Sequence, residues 1–140
     1  MVATRAERGD RFIHGERLHV LIKELLEAHS VSFSALTGIC VGKGPGSYTG
    51  LRIGVSTAKG LCFALGIPLY SVPTLGCFDF SNCTTPFVIT VLDARRDEVY
   101  AQVWRLVEGG LTPDGAVEAV IVTDDSWKSL QKEPVTIMGE

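Results

Sequence analysis

Hydrophobic residues recur with helical spacing early in the chain. Leu18, Leu21, Ile22, Leu25 and Leu26 stand at i, i+3, i+4, i+7 and i+8, while Glu16, Lys23, Glu24 and Glu27 lie off that stripe. The pattern predicts an amphipathic helix from Gly15 to about His29–Ser30, with Ser34–Thr37 adding a turn. Upstream, Met1–Arg5 reads as the tail of a strand and Ala6–Asp10 as a loop. Thr37–Val41 is a short apolar strand that runs straight into Gly42-Lys43-Gly44-Pro45-Gly46-Ser47-Tyr48-Thr49-Gly50. Four glycines and a proline in nine residues leave no periodicity, so that segment is a loop. A second helix follows from Thr49 to Leu65, ended by Gly66 and Pro68, and Leu69–Val72 is another strand. Helix, strand, Gly-rich loop, helix, strand is the order of an α/β unit with parallel pairing.

The second half of the chain has strand periodicity. Phe87–Leu92 is apolar and β-branched, Asp93–Asp97 is a polar turn, and Glu98–Leu106 alternates, which together make a β-hairpin. Residues 108–115 read as a loop, Val117–Val122 as a strand, and Asp124 or Asp125 as the cap of a short helix through Leu130. Val135–Met138 is the last strand.

Composition narrows the function classes. The chain has 140 residues, 46% hydrophobic and 21% charged, with a formal net charge of −3. This is the balance of one folded domain, and its mild acidity argues against a general binder of phosphate backbones. No uncharged apolar run has membrane-spanning length and no secretory signal is visible, which makes the cytoplasm the default compartment. Cys40, Cys62, Cys77 and Cys83 lack zinc spacing and read as free thiols, with Cys40 and Cys62 buried in apolar runs. His14 and His19 are five apart and do not share a helix face, so they make no zinc pair; His14 reads as a helix entry and His19 and His29 as surface positions.

Two segments carry more information. The Gly-rich loop leaves a strand and opens a helix, a placement that suits an anion. It matches neither the Walker A spacing nor the dinucleotide fingerprint, and a tight crossover explains its glycines equally well. Lys43, Gly44, Gly46 and Ser47 are its candidate phosphate or nucleotide contacts. Ser47 lacks the first glycine of a nucleophile elbow. The second helix is rich in small residues: Gly50, Gly54 and Ala58 share one face, and Ser56, Gly60 and Ala64 another. Each helical glycine costs about 1 kcal/mol against alanine, a cost that close packing offsets, either inside the monomer or against a partner.

The block Gly42–Gly54 (GKGPGSYTGLRIG), with Ala58-Lys59-Gly60-Leu61 and Gly66-Ile67-Pro68, closely resembles the TsaB (YeaZ) family. The likeness extends upstream to His14-Gly15-Glu16-Arg17-Leu18, where the family has His-Ser-Glu, and downstream to Leu92–Tyr100 (LDARRDEVY). The resemblance implies an α/β fold of the ASKHA (actin/hexokinase-like, ribonuclease-H-like) type, a mixed sheet with helices. Residues 1–80 would be its helix-bearing part, and 81–140 the hairpin and the start of a C-terminal subdomain. It implies a non-catalytic scaffold that binds and stabilises the catalytic subunit TsaD in making tRNA threonylcarbamoyladenosine. TsaE would be a further subunit, a homodimer would form without TsaD, and tRNA would be met only through the complex. Carried over, the interface residues are Leu18, Leu21, Ile22 and Leu25 on the first helix and Leu51, Gly54, Val55 and Ala58 on the second. No cofactor is implied beyond an ATP or ADP contact at the shared interface. The alternative is an enzyme, either a glycoprotease-like peptidase or an ATP-using phosphoryl-transfer protein, which would need a metal pair and an N-terminal phosphate loop. The family's opening Asp-Thr-Ser strand and its later C-terminal portion have no counterpart here, and the connection at Gly76–Pro86 is short. The expectation is therefore a fragment-like chain whose sheet has an unpaired edge.

Overall fold

A computed structural model describes residues 3–6 and 14–139, the side chains of 14–16 excepted. The chain divides into two compact units. The first comprises the chain up to Lys43 together with Ser47–Val72; the second comprises Gly44–Gly46 and Pro73 onward. Within the second unit Leu75, fully buried, packs with Val88 and Trp104.

In the first unit, helix α1 (His14–Ala28) is followed by a 3-10 turn at Phe33–Ala35, strand β1 (Ile39–Gly42), helix α2 (Tyr48–Leu65) and strand β2 (Leu69–Val72). Strands β1 and β2 pair in parallel, Ile39 opposite Leu69 and Gly42 opposite Val72. Parallel neighbours need a crossover, and α2 supplies it. Both ends of α2 are set by local chemistry. Ser47 Oγ accepts a hydrogen bond from the Gly50 backbone N–H at 3.3 Å, an N-cap that satisfies one orphan donor. Gly66 ends the helix at φ 65°, with its N–H on the Cys62 carbonyl, a left-handed position where a side chain would cost energy. Helix α2 lies on β1: a Cβ built on Gly54 would stand 3.9 Å from Val41 Cγ2. Ala58 and Cys62 complete its buried seam, and α1 packs against α2.

Two expectations fail in this unit. Ala3–Ala6 forms no strand; among the described residues no neighbouring strand pairs with it, and an unpaired strand leaves its backbone groups without partners. Met1, Val2 and residues 7–13 lie outside the described residues. Cys40 is exposed, not buried. Val41 faces α2, and side chains alternate along a strand, so Cys40 points to the other side of β1.

The second unit is built on a five-stranded sheet. Strand β3 (Phe87–Arg95) runs antiparallel to β4 (Glu98–Val107) and parallel to β7 (Val135–Gly139). Strand β4 also pairs with β5 (Gly110–Pro113) at one end and β6 (Glu118–Ile121) at the other. The β3–β4 turn carries positive φ at Arg95, Arg96 and Asp97 (71°, 57° and 65°), and Asp93 Oδ1 accepts from the Arg95 N–H at 2.7 Å. Trp104 anchors the core. Its indole N–H donates to Thr90 Oγ1 at 2.8 Å, and its ring meets Phe80 at 5.5 Å between centroids. Thr90 is fully buried and Gln102 nearly so. The Gln102 amide donates to the carbonyls of Val103 and Gly115, as buried polar groups require.

Here the sequence misses two features. Residues 110–113 form β5 where a loop was anticipated, because the two-residue turn at Glu108–Gly109, with Gly109 at φ 100°, returns the chain along β4. The expected helix through Leu130 is only a 3-10 turn at Lys128–Leu130. Trp127 adopts a left-handed φ of 49°, which stops helical propagation, and Asp125 pairs with Lys128 Nζ at 2.8 Å without capping a helix.

Three outcomes follow from this packing. Gly54→Leu crowds Val41 and lowers stability by about 1–3 kcal/mol, read as a lower urea midpoint. Trp104→Phe leaves the buried Thr90 hydroxyl without its indole donor and costs about 1–3 kcal/mol by the same measurement. The Asp79 carboxylate accepts from the Ser81 backbone N–H at 3.0 Å, and that bond, with help from the Ser81 side chain, holds its pKa below the ordinary value. Its contribution to stability is present above the unfolded pKa and fades as pH falls through the depressed folded pKa; a side-chain NMR titration will show an Asp79 midpoint below that of an unstructured aspartate.

Candidate functional site

Helix α2 has two faces of opposite character. Leu51, Gly54, Val55, Ala58, Cys62 and Leu65 are half-buried or buried, and Gly54 faces Val41 of β1. At about 100° per residue, the opposite side presents Tyr48, Arg52, Ser56, Lys59 and Phe63 within an arc of roughly 80°, with Thr49 and Gly60 beside them; all seven are exposed. Phe63 is 92% exposed, too much apolar surface for water to accommodate at no cost. A Cβ at Gly60 would meet nothing within 4 Å.

The N-terminal half of this outward face is an open depression of about 440 Å³ lined by Tyr48, Thr49, Arg52, Ile53, Ser56 and Thr57. Arg52 lies over the Tyr48 ring, 5.4 Å from its centroid, and donates to Tyr48 Oη at 3.3 Å. Among the described residues no carboxylate pairs with Arg52. Helix α2 contains Arg52 and Lys59 and no acidic residue, so this face is positive within a chain of net charge −3.

The residues singled out from sequence fall in different places. Leu18, Leu21, Ile22 and Leu25 share a half-buried stripe of α1. Leu51, Gly54, Val55 and Ala58 lie together, on the seam that α2 turns toward its own unit. Ala58 is only 6% exposed and already packed. The small-residue pattern was legible, but which small face looks outward was not: Gly54 meets β1 and Gly60 meets nothing. Tyr48, Arg52, Lys59 and Phe63 were missed, although their i, i+4, i+11 and i+15 spacing places them on one side.

The four loop residues are not a unit. Lys43 and Ser47 belong to the first compact unit, Gly44 and Gly46 to the second. The Lys43 N–H donates to the Val72 carbonyl and the Gly44 carbonyl accepts from Thr74 N–H. The Ser47 hydroxyl oxygen accepts the helix-capping bond from the Gly50 N–H. Among the described residues no three His, Cys, Asp or Glu side chains are grouped to hold a metal, and no helix is long and apolar enough to cross a membrane.

Comparison with known proteins places this geometry. Residues 12–134 match the family model described as TsaD: tRNA N6-adenosine threonylcarbamoyltransferase. The chain is 30% identical over 132 residues to the tRNA threonylcarbamoyladenosine biosynthesis protein TsaB of Escherichia coli (strain K12), covering 89% of this chain and 56% of that protein. It is 34% identical over 134 residues to TsaB of Bacillus subtilis (strain 168), covering 90% and 56%. The solved structure of YeaZ from Pseudomonas aeruginosa superposes with a TM-score of 0.68 at 32% identity, over 79% of this chain and 54% of that one. A second solved structure, an uncharacterized protein with similarity to peptidase YeaZ from the same organism, superposes at 0.71 with 24% identity and shows the fold alone. The chain thus spans about half the length of the curated relatives it matches. The fold is α/β of the ASKHA-like type, as the resemblance implied. With the family model matched over most of its length, the chain belongs to the TsaD-type threonylcarbamoyltransferase family, as a TsaB/YeaZ member.

Proposed function

We propose that this chain is a non-catalytic partner subunit in tRNA threonylcarbamoyladenosine biosynthesis, docking onto a TsaD-type catalytic subunit through its helical face. The likeness to two TsaB proteins over about nine-tenths of the chain supports the pathway. One observation carries the docking role: the outward face of α2 joins a Phe63 ring at 92% exposure to an open Gly60. An anchor beside a small residue is what a close-packing partner helix requires. The half-buried stripe of α1 adds apolar surface on the neighbouring helix, and the absence of a partner leaves the outward face of α2 for a second copy of the chain. TsaE joins as a further subunit, and tRNA is met through the assembled complex.

The interface residues on α2 are therefore the outward ones, Arg52, Ser56, Lys59, Gly60 and Phe63, in place of the inward Gly54 and Ala58. The decisive experiment is co-purification with the TsaD-type subunit of the same organism, followed by a transfer assay on tRNA. The chain alone turns over nothing, and the pair binds. Failure of the unsubstituted chain to bind overturns the docking role; threonylcarbamoyl transfer by the chain alone overturns its non-catalytic status. Gly60→Leu, placed in open space, leaves the urea midpoint of the isolated chain within about 0.5 kcal/mol of the parent. The same substitution weakens partner binding by tenfold or more, about 1.4 kcal/mol, measured by calorimetry. Gly54→Leu does the reverse, losing stability first.

A further inference from the structure

The depression at the start of α2 has a feature that packing alone does not explain. Arg52 is held in place by the Tyr48 ring and hydroxyl, yet no acid among the described residues neutralises it. The Tyr48 contact orients the guanidinium on the exposed helix face, and a cation oriented in advance loses less entropy on pairing. Around it the depression offers the hydroxyls of Thr49, Ser56 and Thr57 and the apolar side of Ile53. A planar cation flanked by hydroxyls is a receptor for an oxyanion. The hollow is open to solvent along one side of α2. Lys59, one turn beyond Ser56 on the same bank, repeats the positive charge.

From this we infer that Arg52, positioned by Tyr48, seats an aspartate or glutamate carboxylate projecting from the partner's docking helix, and that this ion pair fixes the register of the two subunits. The inference rests on the subunit role proposed above and adds the partner's chemistry: its helix must be acidic where it crosses Tyr48 and Arg52. The pairing also explains why α2 carries no acid of its own, since one at i±4 would compete for the guanidinium.

The test measures binding of the full chain to the TsaD-type subunit by calorimetry at several salt concentrations, with circular dichroism as the folding control. Arg52 is exposed, so Arg52→Gln leaves the fold intact. It weakens binding by about tenfold or more and flattens the salt dependence. Arg52→Lys restores the salt dependence while recovering only part of the affinity, because an ammonium lacks the two-pronged geometry. Tyr48→Leu, which frees the guanidinium, gives an intermediate loss. Titration of the chain with acetate and with inorganic phosphate, followed by NMR, distinguishes sources. Weak shifts at Arg52 that saturate only at high concentration fit a carboxylate delivered by a protein, whereas tight phosphate binding overturns the partner assignment in favour of a small-molecule site. Unchanged affinity and salt dependence in Arg52→Gln, with the parent still binding, overturns the inference alone. No binding by the parent overturns the subunit role beneath it.

Discussion

The close approach of α2 to β1 decides how the first unit presents itself. Gly54 faces Val41 without a side chain of its own, and Ala58 and Cys62 continue the seam. Small residues there let the helix lie low on the strand. Burial of one face then commits the other to solvent, because a helix has a fixed angular period. Tyr48, Arg52, Lys59 and Phe63 are outward as a consequence of Gly54 and Ala58 being inward. The outward surface of α2 is thus set by a packing constraint on residues that do not belong to it.

The second unit rests on a different kind of constraint. Strand β3 is buried along Phe87–Thr90 and takes partners on both edges, β4 antiparallel and β7 parallel. Inside that sheet the indole of Trp104 satisfies the hydroxyl of Thr90, and Leu75 closes over Val88. A polar pair at zero or near-zero exposure is tolerated only when each group has a partner, so this contact fixes the register of β3 against β4. The hairpin turn accepts three left-handed residues without a glycine, a cost met by the long ladder on either side and by the Asp93 contact with the Arg95 N–H.

The Gly-rich loop has structural contacts of its own in this fold. Ser47 Oγ caps α2, the Lys43 N–H donates to the Val72 carbonyl and the Gly44 carbonyl accepts from the Thr74 N–H. The cationic feature of this region lies one turn further on, where Arg52 rests on Tyr48.

Much of this was written in the residue pattern. The 3.6-residue stripe of Leu18–Leu26, the helix stop at Gly66, and the β-branched run at Phe87 mark elements through local energetics, which depend on neighbours a few positions away. The motif around Pro45–Arg52 was enough to suggest the family. Tertiary structure alone decided the rest. It exposed Cys40 by placing Val41 on the helix-facing side of its strand, and it recruited residues 110–113 into the sheet because β4 offered them an edge. It chose Gly54 over Gly60 as the glycine that α2 turns toward its strand. Periodicity marks two small faces on one helix as equals; only the strand lying against one of them makes the other a surface.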